Sequence, residues 1–327
     1  MKIRTATSLG SGSAGSEFTF KPIQPWERSA TPLSELQRVS MDDMEDRTES
    51  KPYGITTSID EKLCMCSEDL FKDMIARQVD YVSPETYSPN ASYLPYRRYL
   101  VDWMSDVGEQ CRLHASTVHV SILYLDKIFR SRDIPRGQWQ LLATACISVA
   151  AKYEEAEEHC PPIPELLRLT KLANVGHTSL SFREGELEVL RYLGWTLRAI
   201  PPIHILGYFL SKGATFVDDI WQGRELIEKI PKYVKKYADF FCNLTLQEYS
   251  FQRYLPSRLS AAILLASRVA LQLEPRWRPE LVRLTGFEEN EILDVFHHVW
   301  TYYEEQFPGH GSRAISPRSV THVDMYP

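Results

Sequence analysis

The segment RRYLVDWMSDVGEQCRLHASTVHVSILYLDKIFRSRDIPRGQWQLLATACISVAAKYEE, residues 97–155, decides the fold of this chain. Its apolar residues recur at spacings of three and four, which is typical of amphipathic α-helices. The small residues in LLATACISVAAK let neighbouring helices approach closely, so this helix is predicted to be the centre of a bundle. The segment therefore predicts an all-α domain.

The same periodicity continues along the chain and predicts two helical domains. Helices are predicted at 97–112, 116–130, 136–154, 162–171 and 180–194, with Pro161, Pro162 and Gly194 as stop signals. A second set is predicted at 203–211, 222–246, 257–272, 278–285 and 288–306. A further amphipathic helix at 58–77 rests on the apolar residues Leu63, Leu70, Phe71, Met74 and Ile75.

These elements divide the chain into five predicted parts. Residues 1–55 are rich in Gly, Ser and Pro and are predicted to be a disordered tail. Residues 56–94 hold the extra helix and a proline-containing linker, 95–199 and 200–307 are the two domains, and 308–327 are a flexible tail.

Two helices resemble each other across the domains. LLATACISVAAK at 141–152 aligns with RLSAAILLASR at 258–268, which matches Lys152 with Arg268. The match is explained either by an internal duplication or by the Ala and Leu content that any buried helix shares.

Composition excludes several classes of function. The chain has 327 residues, of which 43% are hydrophobic, so it can fill two cores. A net charge of −6 argues against a nucleic-acid-binding protein, which usually carries a basic surface. The apolar runs are shorter than a membrane span, and no signal-peptide pattern opens the chain.

The sequence offers little for catalysis or metal binding. Phosphate-binding loops, metalloprotease motifs and nucleophile elbows are absent from it. Cys64 and Cys66 are a close pair, but a Cys-x-Cys on a helix points its thiols to different sides, as adjacent His297 and His298 also do. We therefore expect a non-enzyme without cofactor or metal.

The motifs RRYLVDW, LYLDKIF and AAKYEE, in this order, resemble the cyclin box, the module by which cyclins bind and activate protein kinases. The resemblance covers about residues 58–305 and implies tandem five-helix cyclin-type bundles with an extra N-terminal helix. KYADFF and LQEYSFQRY in the second domain look most like cyclin J, whereas the first box has features of A and B types. Ser257, after Pro256, is predicted to lie at a helix N-cap.

The resemblance also assigns roles to residues of the first box. It implies structural roles for Arg97, Asp102, Asp126 and Leu141, with Arg97 and Asp126 as a buried ion pair. It implies a kinase-binding surface, which we call the contact surface, made of Lys152, Tyr153, Glu186, Leu190, Trp195 and Leu197. Both Lys152 and Glu186 are predicted to be exposed. Taken alone, a Lys at a helix end or a Glu on a helix has no such meaning.

A second surface is implied by residues that match the site where some cyclins bind Arg-x-Leu peptides of substrates and inhibitors. This docking patch consists of Tyr96, Tyr99, Leu100, Trp103, Asp106 and Gln140. Trp103 and Leu100 are expected to form its floor, and Asp106 to bind the peptide's cation. Tyr96 and Tyr99 stand where Met and Ile are usual, which predicts a narrower groove; the alternative is that these aromatic rings only cap the core.

The resemblance predicts a non-catalytic cyclin that binds and activates a cyclin-dependent Ser/Thr kinase in cell-cycle control, in the nucleus and cytoplasm. The alternative is a cyclin-fold adaptor, or a protein like transcription factors of the B type, without kinase activation. Minimal proline-directed phosphorylation sites occur at Thr31, Ser83, Ser88 and Ser316. Neither an Arg-x-x-Leu signal in the N-terminal tail nor a Lys-Glu-Asn triplet is present.

Overall fold

The computed structural model describes residues 67–82, 92–225 and 228–308. The predicted tail at 1–55, the centre of the linker, the Cys64–Cys66 pair, Leu63 and the four proline-directed sites lie outside these residues. The helices of the described part are α1 Ser67–Arg77, α2 Leu94–Gln110, α3 Ala115–Ser131, α4 Trp139–Glu154, α5 Ile163–Leu169, α6 Ser179–Tyr192, α7 Pro202–Lys212, α8 Ile230–Gln247, α9 Pro256–Ala270, α10 Pro279–Thr285 and α11 Glu289–Gln306.

The first bundle consists of α2 to α6, with α4 at its centre. Helix α4 packs against α2, α3 and α6, and its run from Leu142 to Ala151 is buried throughout. The small side chains in this run let three neighbouring helices approach it, as the sequence predicts. The resulting hydrophobic core, the first core, is made of buried residues that lie between Tyr81 and Ala199 in the sequence.

The second bundle consists of α7 to α11, with α9 at its centre against α7, α8 and α11. Four of its helices carry a proline in the first turn, at Pro202, Pro231, Pro256 and Pro279. Proline suits the first turn because the amide hydrogen that it lacks would have no partner within the helix. The two aligned stretches lie on α4 and α9, each the third helix of its bundle.

The predicted helix at 222–246 begins too early. Residues Ile220–Trp221 (β1) and Arg224–Glu225 (β2) form a short hairpin, and β1 also pairs with Leu273–Glu274 (β3). Gln222 and Gly223 at the turn both have positive φ, as a two-residue hairpin turn requires. The chain becomes helical only after this turn, at Ile230.

The N-terminal segment, residues 67–82, joins the two bundles. In α1, Met74 belongs to the second core, and Phe71 stacks on Tyr208 of α7 with ring centroids 4.1 Å apart. Leu70, predicted to share this apolar face, is half exposed instead. The 3-10 turn Gln78–Tyr81 then carries Tyr81 into the first core.

A membrane-spanning helix is not found in the described ranges, where each helix is too short or too polar to cross a bilayer. The same ranges contain no cluster of His, Cys, Asp and Glu side chains that could hold a metal ion. His298 stacks on Phe251, whereas the adjacent His297 is exposed.

Candidate protein-binding site

The charged centre of the contact surface is an ion pair between α4 and α6. The Lys152 ammonium lies 2.6 Å from Oε1 of Glu186, and the Ser148 hydroxyl donates a hydrogen bond of 2.5 Å to the same oxygen. The side chain of Lys152 is 51% exposed, but that of Glu186 is only 11% exposed. The surface position predicted for Glu186 is therefore wrong.

Glu186 is buried because α6 turns that face inward. Phe182, Gly185, Glu186 and Val189 share the buried side of the helix. Leu141 of α4 lies beside Gly185, where a side chain at that position would meet it at ordinary contact distance. Glu186 thus accepts hydrogen bonds inside the bundle, while Lys152 presents its remaining donors to solvent.

The other four residues of the contact surface follow Lys152 or Glu186 along the chain. Tyr153 follows Lys152 at the end of α4 and is 47% exposed, and Trp195 is 65% exposed. Leu190 and Leu197 are half buried and pack against the first core. Exposed aromatic rings therefore stand at the end of α4 and just after α6, the two helices that supply the ion pair. Aromatic residues are enriched in protein-binding surfaces.

Trp195 is held outward by its backbone. After α6, Gly194 and Trp195 both adopt positive φ, and the amide of Trp195 donates to the carbonyl of Leu190. A left-handed conformation costs a residue with a side chain about 1–2 kcal/mol.

The N-terminal segment fixes the connection after α6 that carries Trp195 and Leu197. The Tyr81 hydroxyl donates to the carbonyl of Thr196, and Arg198 forms an ion pair with Asp73 of α1. The hydroxyl of Tyr124 on α3 donates to the carbonyl of Leu197. Asp73 keeps a lowered pKa, because Arg77 donates a hydrogen bond to it and Arg198 adds a second positive charge.

The docking patch differs from its predicted form. Tyr96 and Tyr99 are exposed and Trp103 is half buried, but Leu100 is 1% exposed and belongs to the first core. Leu100 faces the bundle interior and adds no accessible surface, so its predicted role in the floor is wrong. Half-buried Asp106 lies one turn beyond Trp103 on α2.

Two further contacts occupy this patch. The Arg136 guanidinium lies over the Tyr96 ring at 4.1 Å, and the Gln140 amide donates to the carbonyl of Thr170 at 2.7 Å. Arg136 was missed as a patch residue, although RGQWQ places it one turn before Gln140. Because its guanidinium covers part of the Tyr96 ring, Arg136 reduces the accessible apolar area of the docking patch. The sequence predicts a narrower groove for a different reason, the presence of Tyr96 and Tyr99.

The predicted structural pair is present and does more than join two helices. Arg97 and Asp126 are both 2% exposed, with Nε of Arg97 2.8 Å from the carboxylate. Arg97 also donates to the carbonyls of Leu246 and Gln247 at the end of α8, each at 3.0 Å. Burial alone would lower the pKa of Arg97, but the charge and hydrogen bonds of Asp126 outweigh it and raise that pKa.

Asp102 takes part in the same junction between the bundles. Its carboxylate accepts a hydrogen bond of 3.1 Å from the Gln247 amide. Burial raises the pKa of Asp102 to about 6, although the charge of Arg98 opposes that shift. Arg97 and Asp102 therefore hold the second bundle against the first.

Two family models match the chain: "Cyclin, N-terminal domain" at residues 69–198 and "Cyclin, C-terminal domain" at residues 224–317. Cyclin-J of Xenopus laevis is 32% identical over 206 residues, which are 62% of this chain and 53% of the relative. The chain thus spans about half the length of that relative. The predicted likeness to cyclin J is confirmed.

Solved structures agree on the fold. A viral cyclin from herpesvirus saimiri superposes with a TM-score of 0.56 at 17% identity, over 73% of this chain and 98% of the other. The yeast RNA Pol II CTD kinase CTDK-1 complex contains a chain that superposes with a TM-score of 0.51 at 14% identity, covering 72% and 73%. The two matched domains and the tandem five-helix bundles together show that this chain belongs to the cyclin family.

Proposed function

We propose that this cyclin is a non-catalytic subunit that binds and activates a cyclin-dependent Ser/Thr protein kinase in cell-cycle control, through the contact surface. The observation that carries the proposal is the Lys152–Glu186 pair, in which a buried carboxylate holds a half-exposed ammonium in a fixed position. Tyr153, next to Lys152, and Trp195, after α6, are both exposed. A fixed cation sets the register of a docked segment, and the aromatic rings supply affinity. One structural neighbour is a chain of a kinase complex, the yeast CTDK-1 assembly, which supports a kinase as the partner.

The second bundle lacks an equivalent group at the matching position. Arg268 on α9 aligns with Lys152, but it is fully buried and bonds Asp219 at 2.8 Å. Its guanidinium also donates to the carbonyls of Ala214 and Pro275. The proposal therefore assigns kinase contact to the first bundle and a structural role to the matching cation of the second.

Activation requires only binding. A protein kinase is active when the lysine of its β3 strand pairs with the glutamate of its regulatory helix. A partner that binds this conformation better than the inactive one raises the active population by its difference in affinity. The cyclin therefore needs a rigid surface rather than reactive groups, and the hydrogen bonds from Tyr81 and Tyr124 to residues 196–197 supply rigidity.

The test is kinase capture from an extract of proliferating cells with wild type, Lys152→Ala and a matched control, Lys232→Ala. Lys232 is an exposed lysine on α8, in the other bundle. We expect Lys152→Ala to weaken the binding free energy by about 2 kcal/mol, a roughly 30-fold increase in Kd. The reason is that acceptor groups of the kinase lose a charged hydrogen-bond donor. The control should capture active kinase as wild type does.

Glu186→Ala is a poor test, because it removes a buried acceptor and disturbs the fold. Lys152→Ala removes the half-exposed partner and leaves Glu186 its hydrogen bond from the Ser148 hydroxyl, so circular dichroism should show an unchanged helical signal. Capture of kinase by wild type and Lys152→Ala alike would refute the role of the surface. Absence of kinase from wild type would favour the adaptor alternative.

The docking patch is proposed to bind short Arg-x-Leu peptides over the area that Arg136 and Tyr96 leave open. Exposed Tyr99 and half-buried Trp103 offer the apolar contact, and Asp106 the negative charge. We expect Arg136→Ala to strengthen binding of a fluorescent Arg-x-Leu peptide, since it uncovers the Tyr96 ring, and Trp103→Ala to weaken it. Weaker binding by Arg136→Ala would show instead that this guanidinium contacts the peptide.

The same proposal places the complex in the nucleus and cytoplasm. Imaging of a fluorescent fusion of the full chain in dividing cells checks it. Confinement of the fusion to a membrane organelle would contradict this location.

A further inference from the structure

Helix α11 ends beside the docking patch. The Arg98 guanidinium on α2 donates a hydrogen bond of 2.9 Å to Oε1 of Gln306 near the end of α11. Tyr99, the next residue of α2, is an exposed member of the patch. Phe307 packs against Phe240 of α8, with ring centroids 5.6 Å apart, which holds the end of α11 in this position. The chain therefore leaves the second bundle next to the docking patch.

The C-terminal tail, residues 309–327, lies outside the described residues, but its sequence suits this patch. Arg313 and Ile315 form an arginine-x-aliphatic pattern, which is close to the Arg-x-Leu pattern proposed for the site. Arg318 and Val320 repeat the pattern with a smaller aliphatic side chain. Asp or Glu occurs only once in the tail, six residues after Arg318. The part of the tail that follows α11 is therefore basic.

Helix α2 carries the complementary charge. Three carboxylates lie along one side of it, on half-buried Asp102, half-buried Asp106 and exposed Glu109. Burial raises the pKa of Asp102, and the charge of Asp106, one turn away, raises it further. Like charges at this spacing repel, so a guanidinium beside them is stabilising. Exposed Tyr99 and half-buried Trp103 offer apolar contact next to this row.

The tail is long enough to reach these groups. Arg313 is five residues beyond Pro308, and an extended chain of that length spans at most roughly 17 Å. Along α2, Asp106 lies about 12 Å beyond Arg98, at about 1.5 Å per residue. The Arg313 side chain adds to this reach, and Ile315 follows two residues later. Both side chains of the pattern therefore come within range of the patch.

We propose that residues 313–315 of this chain bind its own docking patch. In this arrangement the Arg313 guanidinium lies beside Asp106, and the Ile315 side chain contacts the aromatic rings. The tail then competes with Arg-x-Leu peptides of other proteins. Residues 318–320 suit the site less, because a longer linker lowers their effective concentration and valine buries less apolar surface than isoleucine. The inference rests on the docking patch of the proposed function and adds its regulation.

The first measurement detects the contact without an added peptide. The full chain is labelled with ¹⁵N in its tryptophan indoles, and the Trp103 signal is assigned by its loss in Trp103→Phe. The tail variant Arg313→Glu, Ile315→Asp reverses the charge and removes the apolar side chain. We expect it to shift the Trp103 signal at every protein concentration, since the contact lies within one molecule. The matched control Arg318→Glu, Val320→Asp should leave this signal as in wild type.

The second measurement is the Kd of a fluorescent Arg-x-Leu peptide for wild type, tail variant and control. For an effective concentration on the order of 1 mM and a Kd of about 0.1 mM for the tail itself, the tail raises the Kd of the peptide about tenfold. The tail variant should therefore bind the peptide about tenfold more tightly than wild type. The control should bind it as wild type does, and circular dichroism should show the same helical signal for all three proteins.

The outcomes separate this inference from the peptide-binding function on which it rests. An unchanged Trp103 signal in the tail variant, or an unchanged Kd for a peptide that binds, overturns the inference and leaves peptide binding intact. If none of the proteins binds the peptide but the Trp103 signal shifts, peptide binding fails and the tail contact stands. If neither is observed, both fail.

Two further results would also contradict the inference. A shift of the Trp103 signal that appears only at high protein concentration would mean that the tail reaches a second copy of the chain. An equal effect of the control variant would mean that residues 313–315 are not the segment that binds, or that the tail acts through its charge alone.

Discussion

At the scale of single residues, each bundle is built around a buried arginine with a carboxylate partner. Arg97 pairs with Asp126 in the first, and Arg268 with Asp219 in the second. The sequence predicted the first pair, since a guanidinium in a helical core needs a carboxylate. It could not predict the bonds from Arg97 to carbonyls about 150 residues away, because no local pattern encodes them.

Glu186 shows a different kind of failure. Its burial was readable, because Phe182, Glu186 and Val189 recur at spacings of four and three on one face of α6. The expectation that a lone glutamate is exposed hid this pattern. The donors to Glu186, Ser148 and Lys152, lie on another helix. The sequence could not pair them with Glu186, because their contact depends on how α4 packs against α6.

Removal of the Arg97 side chain should be strongly destabilising. Arg97→Met keeps most of the apolar volume but leaves Asp126 buried without its countercharge, at a cost of about 3–5 kcal/mol. Urea unfolding monitored by circular dichroism measures the loss. The double variant Arg97→Met, Asp126→Asn should recover part of it, since the uncompensated charge is gone; an equal loss in both would show that charge burial is not the cause.

At the scale of elements, the helices followed from periodicity and from prolines, whereas the connections did not. Residues 222–225 of the hairpin were predicted as the start of a helix, since the two strands are too short for an alternating pattern to show. Helix α9 was expected to be capped near Ser257, but its own residues make no side-chain cap. The cap comes instead from Gln78, whose side-chain oxygen accepts from the Ser257 amide at 2.9 Å.

Gln78→Met should therefore destabilise the second bundle. Methionine preserves the length of the side chain but leaves the buried amide of Ser257 without an acceptor, which costs about 1–3 kcal/mol. Hydrogen exchange at the first turn of α9 should accelerate, while exchange in α4 of the first bundle changes less. Unchanged exchange at α9 would mean that another group satisfies this amide.

At the scale of the whole molecule, the two bundles are joined by polar contacts, and two histidines lie at the junction. The Asp102–Gln247 and His119–Asn243 hydrogen bonds both cross the junction, and His204 of α7 lies 3.8 Å from Glu154 of α4. The tandem bundles could be predicted from the sequence. Their mutual placement could not, because each of these contacts joins residues distant in the chain.

His119 and His204 make stability depend on pH. The pKa values of His119 and His204 are lowered to about 4 in the folded protein, so below the unfolded value near 6.5 the unfolded chain binds more protons. Stability should fall as pH decreases from 7 to 5, by about 2 kcal/mol for each histidine. Asp102 opposes this trend, because its raised pKa favours the folded state at low pH.

His204→Gln should reduce the loss of unfolding free energy between pH 7 and pH 5 by the contribution of one histidine, about 2 kcal/mol. Urea unfolding at pH 7, 6 and 5 measures the slope for wild type and variant. Identical slopes would show that His204 titrates normally in the folded protein.

The unequal exposure of the Lys152–Glu186 pair has an evolutionary consequence. A substitution at Lys152, which is 51% exposed, leaves the bundle intact. A substitution at Glu186 also disturbs the fold, so selection for folding acts against it. A descendant lineage released from partner binding would therefore lose the lysine early and retain the glutamate. Relatives that keep the glutamate but have lost the lysine would therefore mark lineages in which partner binding has been lost.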